Sequence, residues 1–128
     1  MFKIKSIYEP PEKEDGYRIF VEKSWPEELS KEDAKVDLWL KEIGPTKGID
    51  EWSEELLDSF DKFKKEYRDE LRKKKTLLTI IRQTEKEEGT VTLLYSTGNP
   101  EHNCAVVLGD KLSGYGVVRG SVGRIHGG

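Results

Sequence analysis

The sequence has one cysteine, one methionine, one glutamine and two asparagines. A lone Cys104 excludes an internal disulfide, which fits a reducing compartment. No apolar run approaches the roughly 20 residues that a membrane-spanning helix needs. The first residues, Met-Phe-Lys-Ile-Lys, alternate apolar and basic side chains and hold no apolar run of signal-peptide length. Cytoplasmic localisation is the expectation. Neither charge sign is in excess, with 22 basic residues against 25 acidic and a net charge of −3. The chain therefore exerts no overall pull on DNA, RNA or an anionic membrane, and none of these is expected as a partner. His102, Cys104 and His126 are too few for a zinc site and lack its ligand spacing. No metal and no cofactor is implied. The scarcity of Asn, Gln, Cys and Met beside many Lys and Glu is a composition enriched in proteins from hot environments.

What remains suits one modest domain. The chain has 128 residues, of which 34% are hydrophobic and concentrated in a few runs. Residues 2–8 alternate as a strand does, with Phe2 and Ile4 opposite Lys3 and Lys5. Pro10-Pro11 ends it. Tyr17, Ile19 and Val21 share a face in a second extended segment, which closes near Trp25-Pro26. Ser30 can cap a short helix whose first turn carries Glu32 and Asp33. Val36, Leu38 and Leu40 then alternate as a strand, although one helix over 31–43 fits the length equally well. Residues 50–73 are the clearest helix. Asp50 or Ser53 can cap it, and Trp52, Leu56, Phe60, Phe63, Tyr67 and Leu71 recur at steps of three and four. A further helix is expected over about 76–87, with Leu77, Leu78 and Ile81 inside. Residues 90–96 are the most β-prone run and read as a central strand buried on both faces. Asn99-Pro100 looks like the start of a helix over about 100–112.

Strands alternating with helices predict an α/β fold, a small three-layer sandwich with a mostly parallel central sheet and helices on both faces. Residues 1–112 form this domain. Residues 113–128 form a Gly-rich extension, either an edge strand or a mobile tail, and seven of the last 20 residues are glycine.

Several blocks then recur together in one order. They are Asp15-Gly16-Tyr17-Arg18, Trp25-Pro26, Leu29-Ser30-Lys31-Glu32, Leu38-Trp39-Leu40-Lys41, Gly44-Pro45-Thr46, Leu93-Leu94-Tyr95, and Glu101-His102-Asn103 with Ala105-Val106-Val107-Leu108 after it. In this combination the chain resembles the YeaO-like family, a domain of unknown function bearing the family number 488, from about residue 2 to about residue 112. The resemblance implies an α/β fold and a strand at residues 36–40. It places Trp25 and the His102-Asn103 segment in the common pattern, and it carries over no activity. The chain also departs from that pattern. Glu22-Lys23 stands where the family typically has Asp-Arg, and Glu27-Glu28 stands where it has Arg-Gly. Ser53-Glu54-Glu55-Leu56 replaces a His- and Asp-rich segment, and Cys104 replaces a histidine. An activity that needs those arginines and histidines is not implied here.

Three candidate sites stand out. The first is the loop after the central strand, with Ser96, Thr97, Gly98, Asn99, His102 and Asn103. A small-residue turn leading into a helix presents free N–H groups to an anion, and His102 can donate or exchange a proton. The bland alternative makes Asn99 only a cap and His102 only a surface residue. No Gly-Lys-Ser/Thr comes after it, so this is not a nucleotide phosphate loop. The second is Cys104, a reactive thiol if a helix N-terminus lowers its pKa, and an inert one if the adjoining Ala105-Val106-Val107 run buries it. The third is Lys23 with Trp25 and the acids Glu22, Glu27 and Glu28, which can meet a flat or anionic ligand. Its plain reading is a packed loop anchor. Trp39 and Trp52 read as core, and the Arg72–Lys75 run reads as a solvated helix junction.

Two functions are compatible with these residues. One is binding of a small phosphorylated or carboxylated ligand at the carboxyl edge of the sheet, between the Ser96–His102 loop and the Lys23/Trp25 loop. The other is a non-catalytic interaction protein, with homo-oligomerisation through an edge strand in the tail.

Overall fold

The computed structural model describes residues 1–49, 58–113 and 118–119. Its strands are β1 (Phe2–Ser6), β2 (Tyr17–Phe20), β3 (Leu38–Trp39) and β4 (Val91–Tyr95). All run parallel, in the order β3-β2-β4-β1. A two-residue segment, β5 (Val118–Arg119), pairs in parallel with the outer edge of β1 at Lys3 and Ile4. Part of the extension is therefore an edge strand against its own domain. β4 lies between β2 and β1, and all five of its residues are buried. A β-prone run without alternation belongs at such a position, because neither face can meet water, and its one polar residue, Thr92, donates its hydroxyl to the Asp15 carbonyl at 2.7 Å.

Alternation assigns the remaining side chains. Phe2, Ile4, Ile19, Val21, Val91, Leu93 and Tyr95 point to one face. That face is covered by α2 (Asp58–Arg72), α3 (Lys75–Glu88) and α4 (Cys104–Ser113). The helical steps read from the sequence supply the contacts. Phe63, Tyr67 and Leu71 from α2, and Leu78 and Ile81 from α3, are all buried. The second face carries Ile7, Phe20 and Leu94 under Ala34 of the four-residue helix α1 (Lys31–Ala34). Trp25, Leu29, Val36 and Trp39 complete that cluster. The outer layers are thus unequal, with three long helices on one face and one turn of helix plus loops on the other.

The short helix and β3 settle the choice left open over residues 31–43. Ser30 Oγ accepts from the Asp33 N–H at 3.0 Å, as a cap does. The helix stops where Lys35 takes φ +49°. Leu38 and Trp39 then pair with Ile19 and Phe20. The first strand ends at Ser6 rather than residue 8. The part of the long helix before Asp58, with Asp50, Trp52, Ser53 and Leu56, lies outside the described residues, as do Val117, Val122, Ile125 and His126.

One boundary differs in a way that matters. The last helix begins at Cys104 and not at about residue 100. Asn99 Oδ1 accepts from the N–H groups of Glu101 and His102, both at 2.9 Å. The Asn99 and His102 backbones also bond each other, at 3.1 and 3.2 Å. Residues 99–102 are thereby closed into a turn with Pro100 inside it. The helix cap is Asn103, whose Oδ1 accepts from the Val106 N–H at 2.9 Å.

Candidate functional site: a filled seat at the carboxyl edge

In parallel α/β sheets the loops beyond the strand C-termini converge on one edge. Here they are residues 22–24 after β2, 40–49 after β3, and 96–103 after β4. Between them lies a cavity of about 250 Å³, lined by Glu22, Lys23, Ser24, Pro45, Thr46, Gly48, Ile49, Thr97 and Cys104. The predicted edge is therefore concave, but the donors of Ser96 and Thr97 beside it are already taken. The Glu22 carboxylate reaches across from the end of β2 into the loop after β4. Its Oε2 accepts from the Ser96 N–H at 2.7 Å and the Thr97 N–H at 3.0 Å. Its Oε1 accepts from Ser96 Oγ at 2.6 Å and Thr97 Oγ1 at 3.1 Å. Two amides and two hydroxyls divide evenly between the two oxygens. This is the charge-assisted arrangement a bound carboxylate requires.

Neighbouring elements fix Glu22 from behind. Its carbonyl accepts from the Trp39 indole N–H at 2.7 Å. Gly44 lies against the Glu22–Lys23 backbone so closely that a side chain there would collide with it. The loop bearing Gly44 is in turn anchored by the Tyr67 hydroxyl, which donates to the Ile43 carbonyl at 2.7 Å. Burial pushes the Tyr67 pKa well above 10. Lys74 donates to the Gly44 carbonyl at 3.3 Å. Burial lowers the Lys74 pKa, Glu70 opposes that effect, and the nearby Lys23 charge adds to it.

Cys104 lines the same cavity from the tip of α4 and is only 2% exposed. Its Sγ lies 3.8 Å from the Val21 carbonyl oxygen and 4.0 Å from Glu22 Oε2. Burial, and after it the Glu22 charge, pushes the thiol pKa well above 9, outweighing the lowering effect of the backbone N–H groups of Cys104 and Ala105. A helix N-terminus alone favours the thiolate. Here the apolar packing and a neighbouring carboxylate reverse that expectation.

The other candidates are dispersed. Lys23, Thr97 and Cys104 line the cavity, and Ser96 meets it through Glu22. Trp25 lies on the second face of the sheet, edge-on to Phe20 at 5.3 Å and to Trp39 at 5.5 Å between ring centres. Its indole N–H donates to the Leu29 carbonyl at 2.7 Å. His102 faces away, its ring 4.4 Å from that of Phe60. It lines a separate groove between α2 and α4 with Asp61, Lys64, Glu101, Val106 and Asp110. Lys23, Trp25 and His102 thus do not form one pocket, because the turn at 99–102 directs His102 toward α2. Asn103 is buried as the cap of α4, and its amide donates to the Asn99 carbonyl at 2.8 Å. Gly98, at φ +103°, serves the turn: a side chain there would overlap the His102 carbonyl.

The sequence places Glu22 with Glu27 and Glu28 beside Lys23 and Trp25 but does not pair it with Ser96 and Thr97, and it does not assign Pro45, Thr46 or Ile49 to the edge. The Gly44-Pro45-Thr46 block after a strand was the available signal for that second wall. Among the described residues, no group of three or more His, Cys, Asp or Glu side chains can hold a metal ion, and no helix is long and apolar enough to cross a membrane.

Residues 1–115 match the DUF488 family, in the branch described as the inactive DUF488-N3 subclade. The chain belongs to this family. Over 112 residues it is 30% identical to the uncharacterized protein Rv3073c of Mycobacterium tuberculosis (strain ATCC 25618 / H37Rv), an alignment covering 88% of this chain and 93% of that protein. Over 108 residues it is 34% identical to the uncharacterized protein YeaO of Escherichia coli (strain K12), covering 84% and 93%. No solved structure matches the chain. The match to DUF488 spans β1 to β4 and the described helices, so the filled carboxyl edge lies wholly within the family domain.

Proposed function

We propose that this DUF488 protein is non-catalytic and acts through contacts with other molecules at its surface. One observation carries the reading. The Glu22 carboxylate takes the four donors of Ser96 and Thr97 that a substrate anion would otherwise use. A tethered carboxylate holds this position at high effective concentration, and a free phosphorylated or carboxylated ligand must displace it. The one thiol at the edge is buried and kept protonated beside that same carboxylate, so it is a poor nucleophile. The inactive description of the subclade supports the same conclusion.

The test combines reactivity and turnover. In the folded protein at neutral pH, Cys104 should resist iodoacetamide, and it should react fully in denaturant. No hydrolysis of phosphomonoesters or carboxylic esters, and no sulfur transfer from thiosulfate, should rise above background. Turnover that is lost in Cys104→Ser or Thr97→Val would overturn the reading. Self-association is read from the mass of the full chain by light scattering across micromolar concentrations. A constant monomer mass would leave a partner of another kind as the contact.

A further inference from the structure

We infer that the Ser96–Thr97 loop is a carboxylate-binding seat in its own right, occupied in cis by Glu22, and that removing the Glu22 side chain opens it to short aliphatic monocarboxylates. The inference builds on the reading above by naming the chemistry of the seat, and it extends to a ligand class. The pairing of donors selects a planar, two-oxygen anion. One oxygen takes both N–H groups and the other takes both hydroxyls, at 2.6–3.1 Å. These donors follow directly on β4, a strand bonded on both sides, so the sheet fixes where the seat begins.

The surroundings select the group attached to the carboxylate. Glu22 borders the cavity whose far wall is Pro45, Thr46 and Ile49. Truncating Glu22 joins the vacated volume to that cavity. A short alkyl chain attached to a seated carboxylate would then lie against Pro45 and Ile49, with Lys23 at the rim. A bulky or doubly charged ligand fits less well. The buried Cys104 and the Val21 carbonyl close the inner end, and neither welcomes a second negative charge.

The experiment is chemical rescue of Glu22→Ala in the full-length chain. Without added ligand the variant should melt below the native protein. Formate, acetate and butyrate, titrated at constant ionic strength against chloride, should raise its melting temperature saturably. At tenfold excess over the dissociation constant the shift is on the order of 5 °C for a domain of this size. Butyrate should saturate at lower concentration than formate. The native protein and Glu22→Gln, whose amide fills the same space, should show no saturable response. If Glu22→Ala does not fold in buffer, acetate must restore folding. Equal responses in the native protein and Glu22→Ala, or no response in either, would overturn the inference. Turnover by the native chain would sink the non-catalytic reading and leave this rescue untouched, so the two failures are distinguishable.

Discussion

The Lys5 ammonium meets both carboxylate oxygens of Asp15, each at 3.1 Å, beneath the second face of the sheet. Lys5 and Asp15 are 4% and 0% exposed. Arg18 Nη1 donates to the same carboxylate, and its Nε and Nη2 donate to the Lys35 and Ala34 carbonyls at the end of α1. The cluster thus joins β1, the turn before β2, and the helix that leads to β3.

This pairing predicts an acid-sensitive fold. Burial alone would raise the Asp15 pKa, but the Glu12 N–H, Lys5 and Arg18 outweigh it, and the carboxyl titrates below its ordinary value. A depressed folded pKa means that the Asp15 contribution is complete above the unfolded value, near 4, and is lost as pH falls through the folded one. Asp15→Asn should cost about 3–5 kcal/mol at pH 7, since it leaves two buried cations short of a partner. The difference between variant and native protein should shrink below pH 3. Urea melts at pH 7 and pH 3 check both statements, and an equal difference at the two values would contradict the assignment.

Gly98 and Gly89 separate two causes of strain. Both have positive φ, at +103° and +87°. A side chain at Gly98 would overlap the His102 carbonyl, whereas Gly89 has open space around it. Gly89→Ala should cost about 1 kcal/mol from backbone conformation alone, and Gly98→Ala about 2–3 kcal/mol or more. Thermal denaturation of the two variants side by side would show this ranking, and a reversed order would contradict the close approach of Gly98 to His102.

The true cap of α4 is open to a direct test. Asn103 is buried and bonds both the Val106 N–H and the Asn99 carbonyl. Asn103→Ala should cost about 2 kcal/mol, the upper end for a cap, because it also leaves buried groups unpaired. Asn99→Ala, in an exposed turn, should cost about half as much. Equal losses in chemical denaturation would argue for a helix that starts nearer residue 100.

The Tyr67 hydroxyl holds the loop that backs the filled seat. Tyr67→Phe keeps the ring packing and strands the Ile43 carbonyl, so about 1–2 kcal/mol should be lost. Hydrogen exchange should report faster opening at residues 43–46 than in the sheet.

Alternation and helical spacing foretold most of the fold. Phe2 and Ile4 opposite Lys3 and Lys5, and Phe60, Phe63, Tyr67 and Leu71 at steps of three and four, assign the buried face in β1 and α2 without any tertiary knowledge. The β-prone run of residues 90–96, without polar–apolar alternation, marks β4 as central. α4 starts at Cys104 and not near residue 100, and the sequence does not separate the two because Asn99 and Asn103 are equally good caps in isolation. The choice between them rests on the turn that Asn99 closes with Glu101 and His102.

By itself the sequence determined a parallel α/β domain whose loops gather at one edge, since each strand and helix carries its own periodicity. Only the tertiary structure decided what occupies that edge. Glu22 is 74 positions from Ser96 along the chain, and nothing in local spacing brings a carboxylate from the end of one strand onto the amides beyond another. Parallel pairing of β2 with β4 does so, by placing their carboxyl ends side by side.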